Sequence, residues 1–333
     1  MTMTNAMRQI QIAEYGSPTV LTSINTEMPV PQAGELLIRV EAAGVNYSDV
    51  LRRKNIYFMP TPLPYVLGAE AVGEIVKIGD GAPSPPFQLG SRVLAILPFG
   101  GGYAEYVTAN AQYCVSLPPQ IDAKVATALF VQGSTAHLLL HQVAGNISGK
   151  TLLIHAAAGG VGSLLIQLAK LAGANVIAAS SSDEKLQFAQ KMSADLSINY
   201  TKPDWTNRLI QENKGKKVDI ILETVGGAIY TQSFACLRPG GTMIVYGSAS
   251  GERGYIHSEH FVDESQNLLS FNLAHFIQNR ADVWQASLGA MIGLIAEGKI
   301  QVQTASTYAL KDVAQAHQDL ENRQTTGKVV LIP

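Results

Sequence analysis

The chain has 333 residues, 47% hydrophobic and 15% charged, which is the composition of a folded globular protein and length enough for two domains. A formal net charge of -2, from 24 basic and 26 acidic residues, argues against a nucleic-acid partner, a duplex-DNA binder above all, which needs a basic face. Only Cys114 and Cys236 are present, so a disulfide framework and a cysteine-rich zinc site are excluded.

No segment approaches the roughly 18–20 uninterrupted apolar residues that span a bilayer, and the first residues lack the apolar stretch of a signal peptide. A cytoplasmic protein with no membrane association is the expectation. Up to about residue 119, short strands alternate with Gly and Pro. Strands are expected over 36–42, 71–76 and 92–96, punctuated by Gly79-Asp80-Gly81, a rigid Pro-rich surface turn at 83–86, and Gly100-Gly101-Gly102. Strands this frequent, with few helical stretches between them, indicate a small β-rich, barrel-like domain.

After residue 125 the rhythm becomes strand, helix, strand. An apolar strand at 151–155 leads into a glycine turn, and the following 163–172 places Leu164, Leu165, Leu168 and Leu171 at helical spacing. Further strands are expected at 175–179, 218–222, 242–246 and 268–272. Continuous apolar strands alternating with amphipathic helices indicate an α/β, doubly wound parallel sheet covered on both faces. From residue 298 the first pattern returns, with a strand at 300–302, a helix over 311–322 and a last strand at 328–332. The expected organisation is a β-rich catalytic domain from 1–124 and 299–333, and a nucleotide-binding domain from 125–298.

The decisive stretch is Ala157-Ala158-Gly159-Gly160-Val161-Gly162. It follows a strand and opens a helix, the context of the dinucleotide fingerprint, with Ala157 replacing the first Gly. The glycines let backbone approach a pyrophosphate, and the helix N-terminus adds N–H donors and a favourable dipole. NAD specificity needs a carboxylate about 20 residues on, at the end of the second strand, to accept from the ribose 2′-OH. That position carries Ser180-Ser181-Ser182, whose hydroxyls donate to a 2′-phosphate, and Lys185 one turn later supplies positive charge. NADPH is the expected cofactor. For Lys185 alone, a solvated helix-face lysine is the competing reading.

Three segments, Gly44-Val45-Asn46-Tyr47-Ser48-Asp49, Leu63-Pro64-Tyr65-Val66-Leu67-Gly68-Ala69-Glu70 and the glycine turn, resemble the medium-chain dehydrogenases/reductases, closest to the zinc-independent quinone oxidoreductases of the zeta-crystallin type. Asn199-Tyr200, Leu237-Arg238-Pro239-Gly240-Gly241 and Thr326-Gly327-Lys328 belong to the same pattern, which spans 7–333. The resemblance implies a GroES-like catalytic domain beside a Rossmann domain. The zinc-dependent members have Cys where this chain has Asn46 and His where it has Ala69, and Glu70 alone does not hold a catalytic zinc, which takes three protein ligands. Metal-free hydride delivery to an activated acceptor, a quinone or an α,β-unsaturated carbonyl, remains feasible because the acceptor delocalises the developing charge onto its own oxygen.

The resemblance further implies that Ala158, Gly159, Gly160 and Val161 cradle the pyrophosphate. Ser181, Lys185 and Tyr200 resemble the adenosine-phosphate pocket, with Arg323 joining from the returning tail. Tyr246, Gly247 and Ser248 resemble the cofactor rim, and Phe271, Asn272 and Leu273 the segment that contacts the nicotinamide amide through backbone groups. Asn46, Tyr57 and Thr135 are the candidates on the substrate side. Tyr57 follows Asn55-Ile56, where the family has Gly at the position of Asn55. A homodimer joined edge to edge near 268–272 is also implied.

An enoyl-thioester (enoyl-CoA or acyl-carrier-protein) reductase is the competing enzyme, with Arg52, Arg53 and Lys54 as a basic entrance patch. The competing non-enzyme is an NADPH-binding structural or RNA-binding protein. His257-Ser258-Glu259-His260 lacks a third metal ligand and reads as an exposed loop. His155 reads as a hydrogen-bonded structural histidine, and both cysteines as inert core residues. Gly133-Ser134-Thr135 is not a nucleophile elbow.

Overall fold

The computed structural model describes residues 6–83, 86–304 and 306–333, so Ser84-Pro85 of the Pro-rich turn lie outside the described residues. The chain divides into two compact units. One comprises the chain up to Val131 with Ile295–Glu297 and Val302–Pro333, the other Gln132–Leu294 with Gly298–Gln301.

The first unit begins with β1 (Ala6–Ile12), β2 (Thr22–Glu27), β3 (Glu35–Val45) and α1 (Tyr47–Arg53). There follow β4 (Tyr65–Val66), β5 (Glu70–Ile78), β6 (Arg92–Ile96), β7 (Tyr106–Asn110), β8 (Cys114–Ser116) and the single turn α2 (Ala123–Ala126). Along β3, Leu36, Ile38 and Val40 enter the core at period two. A register shift against β5 between Val40 and Ala42 then brings in Ala43 and Val45. The bulge re-aims the strand end without removing its apolar face from the core. The change of sequence character at residue 125 falls inside α2, and the unit continues to Val131, whose N–H donates to Glu70 Oε2 at 3.1 Å.

In the second unit α3 (Ser134–Leu138) runs into a π-helical turn, Leu139–Ala144. The parallel pattern follows: β9 (Thr151–Ile154), α4 (Gly160–Leu171), β10 (Asn175–Ser180), α5 (Asp183–Lys191), β11 (Leu196–Asn199), α6 (Trp205–Glu212), β12 (Val218–Glu223), α7 (Gly227–Ser233) and β13 (Leu237–Val245). The unit then adds α8 (Ser258–Glu264), β14 (Asn267–Ser270), α9 (Leu273–Asn279) and most of α10 (Ala281–Ala296). The sheet order is β11-β10-β9-β12-β13-β14, with every pair parallel. That is the doubly wound Rossmann order, whose strand sequence reverses between β9 and β12, where ligands bind beyond the carboxyl ends.

Leu164, Leu165 and Leu168 of α4 are buried as their spacing predicts, whereas Leu171, the last helical residue, is 55% exposed. Ser182 caps α5 through Lys185 N–H, with Asp183 and Glu184 in its first turn.

The tail adds β15 (Ser306–Ala309), α11 (Val313–Glu321) and β16 (Val329–Ile332) to the first unit, whose large sheet runs β15-β16-β3-β5-β6-β8 with β7 also on β3. The strand expected at 300–302 is absent. Gln301 N–H bonds Gln167 Oε1 at 2.8 Å and its carbonyl accepts from Gln167 Nε2 at 2.9 Å, so a side-chain amide takes the groups a ladder would use. Cys114 and Cys236 are buried thiols pushed up to about 12 by burial. Among the described residues, no helix is long and apolar enough to cross a membrane.

Candidate active site

The β9–α4 turn is built by close approach. A Cβ on Gly162 would overlap the carbonyl oxygen of Ala156, so only glycine lets the helix start this near the strand end. Ala156 sits at φ +48, and Gly159 N–H returns to its carbonyl at 2.8 Å. Ala158, Gly159, Gly160 and Val161 thus form the turn and first residues of α4. Beside Gly160, the buried Gln132 carries a side-chain oxygen with no hydrogen-bond partner. An open backbone turn and a helix N-terminus, both presenting N–H donors, fit a dinucleotide phosphate.

Ser181 and Tyr200 follow the carboxyl ends of the adjacent strands β10 and β11, and Lys185 lies in the first turn of α5. Ser180 pairs with Asn199, and Tyr200 N–H donates to Ser180 O at 3.2 Å. The carboxylates nearest in sequence are those of Asp183 and Glu184. Asp183 is taken up by Asn199 Nδ2 at 2.9 Å and Lys202 at 3.6 Å.

Tyr246, Gly247 and Ser248 follow β13 at the same edge. Their loop is tied to the end of β12 by Ala249 N–H to Thr224 O at 2.7 Å and Ser250 N–H to Val225 O at 2.8 Å. Beneath it Glu223 is fully buried. One of its oxygens accepts from Val225 and Gly226 N–H at 2.7 and 2.9 Å, the other has no partner, and burial raises its pKa. Phe271, Asn272 and Leu273 follow β14, where the Asn272 side chain caps α9 through Ala274 N–H at 2.9 Å and its carbonyl accepts from His275 N–H at 3.2 Å. Thr135 is a buried residue of α3 in this unit, whereas Arg323 belongs to the other unit, exposed at φ +58 just after α11.

Asn46, a substrate-side candidate of the first unit, belongs to a polar cluster that strand register assembles. Val45 of β3 pairs with Val329 of β16, and Ala43 of β3 with Ala71 of β5, so Lys328, Asn46 and Glu70 converge at one end of three neighbouring strands. Lys328 and Glu70 are fully buried and form an ion pair. Asn46 Nδ2 donates to Glu70 Oε1 at 2.7 Å, and Lys328 Nζ donates to Asn46 Oδ1 at 3.0 Å. Gly44 makes room, because a Cβ there would overlap both charged groups. Neither Glu70 nor Lys328 was assigned a role from sequence, since they are 258 positions apart.

This donor set does not fit a catalytic zinc ion. An ammonium already holds the carboxylate, Asn46 supplies an amide spent on both ions, and Ala69 supplies nothing. Among the described residues, no group of three or more His, Cys, Asp or Glu side chains could hold a metal. His260 bonds the Gln266 side chain at 2.8 Å instead. His155 is fully buried on Ser233 Oγ at 3.0 Å, and burial pushes its pKa down to about 3, so it is a neutral packing group.

Tyr57 follows α1, on a turn for which Asn55 adopts φ +55. Asn tolerates that left-handed conformation well enough to stand in for glycine. Burial raises the Tyr57 phenol and the Arg52 cation opposes the shift, so it stays protonated at neutral pH. The expected basic patch at 52–54 does not exist. Arg52 is 8% exposed, Arg53 is fully buried on Glu321, and Lys54 pairs with the same carboxylate. An enoyl thioester's phosphates would meet no free cations there.

Behind α1 lies a second network that sequence did not disclose. Asp49 is buried, accepting from Asn46 N–H at 2.8 Å and Tyr103 Oη at 3.0 Å, and Tyr103 Oη meets His317 Nε2 at 3.2 Å. Burial pushes Asp49 up to about 6 and His317 down to about 3. The two act oppositely on stability. The depressed His317 and His155 favour the fold above their ordinary pKa of 6.5, and that contribution is lost as pH falls toward 3. The raised Asp49 favours the fold below 3.8 and its contribution is lost as pH rises through about 6. In Asp49→Asn the unfolding free energy should therefore climb more steeply from about pH 4 to about pH 6 than in the parent. Parallel urea-melt profiles across that range would contradict the burial-driven shift.

A GroES-like barrel unit and a Rossmann unit with a glycine turn at its switch point define a dinucleotide-dependent oxidoreductase of the alcohol-dehydrogenase type. Residues 32–119 match the family described as alcohol dehydrogenase GroES-like domain, and residues 160–290 the one described as zinc-binding dehydrogenase. A quinone oxidoreductase of Pseudomonas aeruginosa is 32% identical over 327 residues, covering 98% of this chain and 99% of that protein. A 2-haloacrylate reductase of a Burkholderia species is 31% identical over 331 residues, covering 97% and 98%. The structure of Escherichia coli quinone oxidoreductase complexed with NADPH superposes with a TM-score of 0.90 at 32% identity, covering 98% of this chain and all of that one. The chain belongs to the quinone oxidoreductase family.

Proposed function

We propose that the protein reduces quinones and related α,β-unsaturated carbonyls with NADPH, without a metal ion. The observation that carries this reading is the buried Lys328–Glu70–Asn46 cluster, which fills with a protein cation the place where zinc-dependent relatives keep ligands. Relatives at about a third identity that are named quinone oxidoreductase, and one solved with NADPH, support it.

Bound NADPH supplies the hydride, and the protein supplies position. Ala158, Gly159, Gly160 and Val161 offer backbone donors to the pyrophosphate at the N-terminus of α4. Ser181, Lys185 and Tyr200 would hold the 2′-phosphate side. Tyr246, Gly247 and Ser248 line the cofactor, while Thr135 and the backbone of Phe271, Asn272 and Leu273 orient the carboxamide. Asn46, its amide engaged at both ends, is a positioning residue. The protonated Tyr57 phenol donates a hydrogen bond to the acceptor oxygen on which negative charge develops. Hydroquinone formation then needs one proton, which solvent provides.

The protein works in the cytoplasm, where two unpaired buried thiols stay reduced. It is a homodimer through β14, an edge strand on which Leu268 and Leu269 are 43% and 42% exposed, an aggregation hazard unless a second copy covers it. Only monomer in sedimentation at micromolar concentration would contradict the dimer.

The test of the function is NADPH and NADH oxidation with 1,4-benzoquinone, run beside an enoyl-CoA. Quinone turnover that prefers NADPH is expected. A faster enoyl-CoA rate would overturn the acceptor assignment, and tight NADPH binding with no turnover would favour a non-enzymatic role.

A further inference from the structure

One buried cation in the first unit braces an apolar rim. Arg52, in the last turn of the short helix α1, is 8% exposed. Its guanidinium lies 4.6 Å from the ring centre of Tyr57 and 5.6 Å from that of Tyr65. One terminal nitrogen reaches Pro60 O and Thr61 Oγ1, both at 3.4 Å; the other reaches Pro98 O at 3.3 Å and Met59 Sδ at 3.8 Å. A single planar fork therefore ties the segment around 57–61 to the turn after β6, a task the point charge of a lysine cannot perform.

The residues flanking these anchors leave apolar surface in solvent. Ile56 is 60% exposed, Phe58 61% and Phe99 78%. The segments that carry them are tied down, with Ile56 N–H on Leu51 O at 2.9 Å and Gly100 N–H, next to Phe99, on Leu97 O at 2.9 Å. Anchored segments displaying three large apolar side chains are unlike ordinary scattered surface residues, and such a patch calls for an apolar partner. Tyr57 lies within it, its ring 4.5 Å from that of Phe58, so hydrogen-bonding and apolar surface are contiguous. The Arg52 charge is covered by the two tyrosine rings and offers little to an anionic partner.

We propose that Ile56, Phe58 and Phe99, braced by Arg52, form a specificity element that binds the apolar substituent of the acceptor, selecting alkyl-substituted quinones over unsubstituted ones. Arg52 is its positioning residue. This rests on the reading of Tyr57 as the group facing the acceptor oxygen.

The experiment measures kcat/KM for a series of 2-alkyl-1,4-benzoquinones of increasing chain length, with NADPH fixed. A fully buried methylene is worth about fourfold. A half-exposed rim should give about twofold per methylene over the first few, carried by KM, before levelling off. The double variant Phe58→Ser/Phe99→Ser should flatten the series. Arg52→Met and Arg52→Lys should also flatten it, because neither retains the fork; NADPH binding and circular dichroism check that each variant is folded. The parent series alone carries the test if a variant fails to fold. Turnover of every quinone with no dependence on chain length would overturn the rim and leave the reductase reading intact. Turnover of none would remove both. A slope that survives in the serine variants would also overturn the proposal.

Discussion

Replacing Lys328 with Met lowers the stability of the first unit by about 3–5 kcal/mol, the cost of leaving a buried carboxylate without its cation. Glu70 is fully buried and its other partners are Asn46 Nδ2 and the Val131 N–H, two neutral donors that do not replace an ammonium. Glu70→Gln should be similarly damaging, since it strands the ammonium on Asn46 Oδ1 and the Val45 carbonyl. The double variant Glu70→Gln/Lys328→Met removes both charges and should recover most of the loss, because a buried ion pair adds little over neutral groups of matching shape. Urea denaturation followed by a probe in the first unit measures all three. A double variant no better than the worse single one would show that the cluster acts by something other than paired charge. The loss should extend to catalysis, since Asn46 is oriented by both ions.

Placing a carboxylate at the end of β10 by Ser181→Asp is expected to reverse the cofactor preference. A negative charge roughly 4–5 Å from a 2′-phosphate, at an effective dielectric near 20, opposes it by about 3–4 kcal/mol, or on the order of 100-fold or more in NADPH affinity. NADH loses no such interaction and gains an acceptor for its ribose hydroxyls. The structure gives the substitution a clean setting. The carboxylate of Asp183 is bonded to Asn199 and Lys202, and the Ser182 hydroxyl caps α5. Titration of both dinucleotides against parent and variant checks this. Equal losses for NADPH and NADH would mean that Ser181 does not face the 2′ position.

The Rossmann unit was legible because its signals are local. Continuous apolar runs such as Leu152-Leu153-Ile154 need no partner to be recognised as buried strands, and the glycine turn carries its meaning in adjacent residues. The barrel was harder to read. In β1 the buried Met7, Ile10 and Ile12 are separated by polar Arg8, Gln9 and Gln11, and β2 has no buried residue, so these segments look like loops. The segment at 300–302 had the composition of a strand, yet the Gln167 side chain took the backbone groups that a ladder would need.

The same division governs the site. Residues of the glycine turn and of the Ser181 segment are read from their neighbours. The Lys328–Glu70 pair depends on β16 lying against β3, and β3 against β5, which no local pattern discloses. Arg52, Arg53 and Lys54 read as an exposed basic run because three adjacent charges usually are one, but the first stacks on tyrosines and the other two share Glu321. Gln132 and the Asp49–Tyr103–His317 network carry no sequence signal of their own.

In the proposed mechanism a protein cation, and not a metal, occupies the acceptor side of this site. The most direct test of this is quinone-dependent NADPH oxidation by protein treated with a strong chelator, with elemental analysis confirming removal of zinc and other transition metals. Full turnover by metal-free protein, unaltered on adding zinc back, is the expected result. Activity lost on chelation and restored by zinc would contradict the account.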